Sequence, residues 1–573
     1  HPNVLFVYVD DLGWKDLSCY GSQFYETPAI DGLAEDGVRF TSAYQAAARS
    51  VPSRTSLFTG KYHDRPEITD SEGVKLSEVT FAEAFKEAGY HTYFAGKWHL
   101  GKNDNRYPDD QGFDVNKAGC DWGAPKGSSE GGGRYFSPYD CPTLSDGPKG
   151  EYLTDRLTDE TLQFIEEHEK EQPDQPFLAC LFHYAVHTPI QAPEESVSPY
   201  RDKKENMNYQ HPEWEVDGPA RVKLRQDHPV YAGMIAKVDE SVKRLREKLE
   251  ELGVSDNTII ILSSDHGGLS ATLKSNGREI ATSNHPLRTG KGWIYEGGIR
   301  APLIISWPGH TPEGMVTDEP VVNTDFYPTM LDMANIPLKP EQHIDGESFA
   351  PLLKGKDWSR SRPIYWQWPK AKTGTGNPNM AAIRDGNKKL IHFMLQDRVE
   401  LYDLKKDLGE TNNIADEYPL LAARLKDDLL DWQEDCNYRD PGERRVMLEK
   451  EKMIPAYQQD IKPSAYPAVT QFDVRVKSQQ EKALIQFAVQ EENKRVHPVN
   501  VKVYYKTNAK QSWQKIDGFR ERTTRLLPGN YQLEWNIAGL VDEKVDLKIE
   551  GHIANALHPA PIKSQKLRDV SLK

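Results

Sequence analysis

Through the first two thirds of the chain, short apolar runs rich in β-branched residues alternate with longer segments whose apolar positions recur every three or four residues. Continuous apolar runs bounded by turns read as strands buried on both faces, and the three-to-four spacing reads as amphipathic helix. Strands are expected at Val4–Val9, Thr92–Ala95, Phe177–Phe182, Thr258–Leu262 and Leu303–Ser306. Helices are expected at Thr80–Ala88, Asp155–Glu167, Val230–Leu252 (closed by Gly253) and Asp325–Ala334. Strand and helix alternating in this way mark a sheet covered by helices. After about residue 355 the pattern changes to closely spaced short strands at Ile364–Trp368, Met380–Arg384, Leu390–Phe393 and Val399–Tyr402, followed by a helix at Pro419–Trp432. Residues 437–467 are polar and read as a linker with some helix around Gly442–Met453. Beyond them, strands at Gln471–Val476, Ala483–Val489, Val499–Tyr505 and Tyr531–Asn536, with a turn at Leu527–Asn530, read as a small sandwich. The expected architecture is α/β. A large mixed sheet between helices (1–355) leads to an antiparallel α+β subdomain (356–436), the linker and a terminal β-sandwich (468–573).

Composition narrows the class. The 573 residues are 37% hydrophobic and 28% charged, which excludes collagen-like, coiled-coil and wholly disordered chains. A formal net charge of −15 repels nucleic acid and anionic lipid at long range. Five cysteines are too few for a disulfide scaffold, and their odd number leaves at least one unpaired. No apolar run approaches the roughly 18 residues a membrane helix needs. His1-Pro2-Asn3 leads straight into a strand, so a signal peptide is expected to be already gone, and the location to be periplasmic or secreted. The chain carries no Asn-x-Ser/Thr sequon, which favours a bacterial source.

Ligands in open α/β sheets bind beyond the carboxyl ends of the strands. Four expected strands end in polar clusters: Asp10-Asp11, Gly96-Lys97-Trp98-His99, His183 with His187-Thr188-Pro189, and Asp265-His266-Gly267-Gly268. If the four strands are parallel, these clusters lie on one edge. Three carboxylates, Asp10, Asp11 and Asp265, cannot share a small site unless a cation neutralises them. With at most one His among the ligands, a hard divalent ion fits better than zinc. In Ala48–Gly60, Pro52 suits a first helical turn and Gly60 a helix end. That places Ser50 just before a helix N-terminus, where backbone N–H groups favour an anion, with Arg54 one turn on.

Ser50-x-Pro52-Ser53-Arg54 followed by Thr59-Gly60 resembles the signature of the type I sulfatases of the alkaline phosphatase superfamily, whose first position is Cys or, less often, Ser. The resemblance extends over residues 1 to about 435. It includes Asp10-Asp11, Thr27-Pro28-x-x-Asp31, Gly37–Phe40, Gly96–Gly101, His187-x-Pro189, Ser264–Gly267, Gly290-Lys291 and Tyr295–Arg300-x-Pro302. It implies a sulfuric-ester hydrolase in which a maturation enzyme converts residue 50 to formylglycine, whose geminal diol attacks the sulfur. It implies that Asp10, Asp11, Asp265 and His266 hold one calcium ion that also meets residue 50, His266 being the least usual ligand of the four. Arg54 is then expected to stabilise the diol oxygen, and Lys97 and Lys291 the sulfate oxygens. His99 would take the proton that drives collapse of the hemiacetal, and His187 would protonate the leaving alkoxide. Two other readings stand beside this one: a formylglycine phosphonate or phosphodiester hydrolase, and an inert glycan-binding protein in which Ser50 stays a serine.

Substrate choice must come from outside the signature. The Gly- and aromatic-rich stretch Lys102–Gly150, with Asp121-Trp122, Arg134-Tyr135 and Tyr139, and the polar stretch Pro193–Asp227, with Tyr209, His211 and Trp214, are candidates. Trp122 and His63 are taken as substrate-facing, with Arg65 bordering the pocket. Trp366 and Trp368 share a strand face and read as core packing in preference to a sugar platform. A sulfated carbohydrate is the expected substrate, with a marine galactan such as carrageenan the specific suggestion. The terminal sandwich is expected to be structural, and a homo-oligomer is left open.

Overall fold

The computed structural model describes residues 1–102, 104–127, 133–209, 211–218, 220–273, 279–368, 374–394 and 397–436. Beyond these it describes 468–477, 482–490, 499–508, 511–516, 519, 526, 529–538, 540, 544–553 and 564–572. The expected linker, with its helix around Gly442–Met453, lies outside the described residues.

One eight-stranded sheet organises the first half of the chain. Across it run Met315–Thr317, Val38–Phe40, Leu303–Ser306, Thr258–Ser264, Asn3–Val9, Phe177–His183, His91–Gly96 and Val115–Lys117. Asn3–Val9 is parallel to both its neighbours, and His91–Gly96 is parallel to Phe177–His183, so the four strands with polar ends do share one edge. Leu303–Ser306 instead runs antiparallel to Thr258–Ser264, which makes the sheet mixed.

Side-chain alternation explains why these runs are apolar throughout. Leu5, Val7, Val9, Tyr93, Ala179 and Leu181 join a core on one face with the helices α1 (Pro28–Glu35), α4 (Leu153–Glu171) and α6 (Pro229–Glu251), the last carrying α5 (Glu194–Asn206) against it. Val4, Phe6, Tyr8, Phe94, Cys180 and Phe182 join a second core on the other face with α2 (Ser50–Thr59), α3 (Phe81–Glu87) and the Phe326–Met333 helix. A strand covered on both faces has no polar side to show.

Helix ends follow local chemistry. Thr80 caps α3 in a reciprocal capping box with Glu83. Gly60, at φ +66°, ends α2, and Gly253, at φ +71°, follows α6. The three-residue strands Val38–Phe40, Val115–Lys117 and Met315–Thr317 escaped the pattern reading because they are too short to display a period.

After the sheet, Ile364–Trp368, Met380–Asp385, Lys388–Phe393 and Arg398–Asp403 form an antiparallel meander, and the Pro419–Asp435 helix joins its core through Ala422, Leu425, Leu429 and Trp432. That core also takes in Tyr44, Ala48, Trp293 and Tyr295, from the segments flanking Ser50 and Lys291. The distal strands form a three-stranded and a four-stranded antiparallel sheet around a shared core with Ile485, Phe487, Val503 and Leu547. One local expectation is corrected here. Gly529 and Asn530 are not in a turn but begin the Gly529–Asn536 strand, because they pair with Val489 and Ala488, and residues 527–528 lie outside the described residues.

Candidate active site

At the carboxyl edge of the sheet, backbone hydrogen bonds tie the strand-end loops together. Asp10 N–H donates to Ala185 O (2.9 Å) and Val186 N–H to Asp10 O (2.7 Å), joining the Asp10 and His187 loops. Lys97 N–H donates to Phe182 O (2.7 Å), and Lys291 N–H to Gly268 O (3.1 Å). Gly96 makes the turn into Lys97 at φ +105°, where a Cβ would fall 1.9 Å from Phe182 O. Only glycine fits.

Ser50 is the first residue of α2, one position further in than the sequence suggested, with Arg49 as an extended N-cap. Its Oγ lies 3.2 Å from each of Asp10 Oδ1, His266 Nε2 and Lys97 Nζ. Around it, Asp10, Asp11, Asp265 and His266 each bring a ligating atom within 4.8 Å of the others. Lys97 Nζ donates to Asp10 and Lys291 Nζ to Asp11, each at 2.5 Å. Arg54 Nε donates to Asp265 Oδ2 (3.3 Å) and its Nη1 to Lys97 O (2.7 Å). Asp10, Arg54, Lys97, Asp265 and His266 are all 0% exposed.

The protonation preferences expose the crowding. Burial, then Asp265, drives the Asp10 carboxyl well above its ordinary range. Burial also acts against ionised Asp11 and Asp265, but Lys291 holds the first low, and Arg54 with Lys97 holds the second low. Three buried carboxylates therefore cannot all ionise on the strength of the three side-chain cations alone.

A divalent cation fits this donor set on three observations. Asp11 Oδ2 is buried without a hydrogen-bond partner. Burial lowers His266 to about 4, so its ring is neutral, and Nδ1 bonds Gly267 O at 3.0 Å, which turns the Nε2 lone pair inward. That lone pair then faces carboxylate oxygens of Asp11 and Asp265 at 3.3 and 3.5 Å, an arrangement that a shared cation would make favourable. The cluster could hold a metal ion.

His99 and His187 flank this group. Burial, followed by Lys97, lowers His99 to about 2; it sits at φ +60° with Nδ1 buried and unpartnered. Burial, followed by Lys291, lowers His187 to about 3; its Nδ1 bonds Thr188 O at 2.7 Å and its Nε2 lies 3.9 Å from Asp11 Oδ2. Both rings are neutral in this state.

Two residues that support the histidines carry no chemical motif of their own. Gly123 lies flat against the His99 ring, since a Cβ there would stand 2.5 Å from Cε1. Tyr135 donates its hydroxyl to the backbone oxygens of Tyr184 and His187, both at 2.8 Å. Position in the stretch Lys102–Gly150 was their only sequence signal.

The other expected contacts sort differently. His63 lies just past α2, where its N–H donates back to Ser56 Oγ (3.0 Å) and its ring pairs with Asp64 at 3.5 Å, while Arg65 binds Asp345. Trp122, half-buried beneath Lys126, adjoins Gly123. Tyr135 and Tyr139 are core residues, not an open surface. Trp366 is buried and donates to Gln45 O, as core packing requires, whereas half-buried Trp368 carries the Arg49 guanidinium 5.3 Å from its ring centre.

Comparison with known proteins places this arrangement. The sulfatase family model matches residues 2–336, and the C-terminal model of N-sulphoglucosamine sulphohydrolase matches 288–435. A sulfatase of Formosa agariphila is 29% identical over 522 residues, covering 75% of this chain and 88% of that protein. An N-acetylglucosamine-6-O-sulfatase of Bacteroides thetaiotaomicron is 28% identical over 535 residues, covering 78% and 89%. The solved structure of Ps i-CgsB in complex with k-i-k-neocarrahexaose superposes with a TM-score of 0.64 at 27% identity, covering 79% of this chain and 97% of that one. With one family model spanning most of the sheet and the acidic cluster at its carboxyl edge, this chain belongs to the sulfatase family and is a hydrolase of sulfate esters.

Proposed function

We propose that the protein removes sulfate from a sulfated carbohydrate, a galactan of the carrageenan type being the specific candidate, using residue 50 after its conversion to formylglycine. The observation that carries the reading is the position of Ser50 Oγ, 3.2 Å from Asp10, Lys97 and His266 at the head of α2. A nucleophile generated there starts its work beside the acidic cluster and two lysines. The carbohydrate is supported by the relatives: the Bacteroides protein is named for a sulfated N-acetylglucosamine, and Ps i-CgsB is solved with a neocarrahexaose.

The hydrated formylglycine would supply an oxygen nucleophile for attack on sulfur. A calcium ion on Asp10, Asp11, Asp265 and His266 would supply positive charge to the sulfate oxygens. The chain's own residues do the rest. Lys97 and Lys291, held beside Asp10 and Asp11, place two ammonium groups next to the sulfate oxygens as fixed positive charge. Arg54, locked between Asp265 and the Lys97 carbonyl, holds the residue-50 oxygen in line. His187, neutral in the free site, takes a proton from solvent on Nε2 as the anionic ester arrives and gives that proton to the leaving alcohol. His99, neutral with a free buried Nδ1, is ready to accept one.

The test has two parts. Mass spectrometry of the peptide bearing residue 50, from protein made with and without a maturation enzyme, reads whether serine has lost two hydrogens. Sulfate release is then measured on κ- and ι-carrageenan oligosaccharides, glycosaminoglycan fragments, an aryl sulfate and a bis-aryl phosphate, before and after chelation. The expected result is a matured residue 50, release from a carrageenan fragment, and loss of that release on chelation. An unmodified serine with oligosaccharide binding but no turnover would select the inert glycan-binding reading. A faster rate on the phosphate would select the phosphodiesterase reading.

A further inference from the structure

Two cysteines outside the reaction chemistry meet in the segment that supports both histidines. We propose that Cys120 and Cys141 form a disulfide that clamps the ends of this segment behind the active site. Both are free thiols, each is the neighbour that acts most strongly on the other, and Cys141 Sγ lies 3.8 Å from Thr143 Oγ1. The backbone on either side is already paired, Ala118 N–H donating to Thr143 O (3.2 Å) and Thr143 Oγ to Gly119 O (3.2 Å), so the two residues are held in register. The remaining cysteines are placed elsewhere. Cys19 lies beside Asp31, Cys180 in the middle of the Phe177–His183 strand, and Cys436 at the end of the Pro419–Asp435 helix near Arg65.

The segment matters for what it touches. Cys120 O accepts from His99 N–H (3.1 Å), and Gly123, three residues on, backs the His99 ring. Toward the other end, Tyr135 holds the His187 carbonyl. A cross-link at Cys120–Cys141 thus closes a frame with one histidine supported on each side.

The chemistry is available at neutral pH. Cys141 is half-buried, and the neighbouring Cys120 thiol lowers it to about 7, so a thiolate forms readily, while Cys120 is fully buried and held high. The Cys141 thiolate attacks one sulfur of an external disulfide, forming a mixed disulfide and expelling one external thiolate. Cys120 then loses its proton and attacks the Cys141 sulfur, expelling the second. The two protein thiols give up two electrons and two protons, and the external disulfide is reduced to two thiols.

The experiment uses the full chain, reduced and then exposed to oxidised glutathione. Free thiols are alkylated in denaturant, and the digest is mapped without reduction. Peptide-level mapping is needed because maturation of residue 50 would also remove two hydrogens. The expected result is one cross-linked species joining Cys120 to Cys141, with Cys19, Cys180 and Cys436 alkylated. Slower hydrogen exchange over 133–141 in the oxidised form is expected with it. Cys141→Ser and, separately, Cys120→Ser should abolish both effects; the half-buried Cys141 site keeps the test open if the buried variant misfolds. Alkylation of both thiols after oxidation, a cross-link to another cysteine, or unchanged exchange in the cross-linked protein would overturn the proposal. None of these readouts depends on the state of Ser50.

Discussion

His99 sits at φ +60°, a region that non-glycine residues seldom occupy, and its ring is fixed from one side by the bare backbone of Gly123. The expected ring-to-Cβ approach of 2.5 Å makes Gly123→Ala a direct test of whether ring placement matters. Because displacing a catalytic group by about 1 Å can cost about 10²-fold, kcat should fall by roughly that factor with KM little changed. Steady-state kinetics on the best sulfate ester would show it, with circular dichroism confirming an intact fold. Asp11, at φ +61°, shares the same unusual backbone region, so two site residues are held there by their surroundings. That conformation could not be read from the sequence. The residue types could: Asp10, Asp11, Ser50, Arg54, Lys97, Asp265, His266 and Lys291 are brought together, whereas His63 is paired with Asp64.

Among the elements, α1 depends on a neighbour for its N-terminal cap. Asp239, on α6, accepts from Ile30 N–H (2.9 Å) and Ala29 N–H (3.2 Å), and burial pushes its carboxyl up to about 6. A folded pKa above the unfolded value of 3.8 means that the fold binds this proton more tightly. The penalty for ionising is absent below about pH 4 and complete above about pH 6. Asp239→Asn keeps one acceptor and removes the titration. Relative to that variant, wild type should lose up to about 3 kcal/mol between pH 4 and pH 7. Denaturant titrations of both proteins at the two pH values would measure it. The pattern reading missed α1 and found α6, because eight residues give two turns while twenty-three give a stripe that repeats.

For the molecule as a whole, the site motif around Glu296 is bolted to the C-terminal meander by buried charge. Lys389 Nζ, on the Lys388–Phe393 strand, donates to Glu296 (2.9 Å) and Glu410 (2.8 Å), all three side chains being fully buried. Arg300 adds a pair to Glu296 at 2.6 Å. Burial and the nearby Glu296 push Glu410 up to about 7 despite Lys389. Removing that lysine strands two buried carboxylates, so Lys389→Met should destabilise by about 3–5 kcal/mol. The loss should be larger at pH 8 than at pH 5, since carboxyls whose folded pKa is raised lose stability as pH rises. A denaturant midpoint that is unmoved, or that moves equally at both pH values, would contradict this. The same scale resolves the charge question. A body of net charge −15 keeps a compact cationic set, Arg54, Lys97 and Lys291, at one sheet edge, so an anionic ester is met locally by charge that the average conceals.

What the sequence determined by itself was periodicity and chemistry: long apolar strands such as Asn3–Val9, long helices such as Pro229–Glu251, and the residue types clustered after the strands. These are local properties, carried by side-chain spacing and by the need of buried carboxylates for a cation. Tertiary structure alone decided the antiparallel Leu303–Ser306 strand, the three-residue edges, the support of His99 by Gly123 and the meeting of Cys120 with Cys141. Each of these depends on which distant segment arrives beside which, and that is fixed by packing across the whole sheet and not by any run of neighbouring residues.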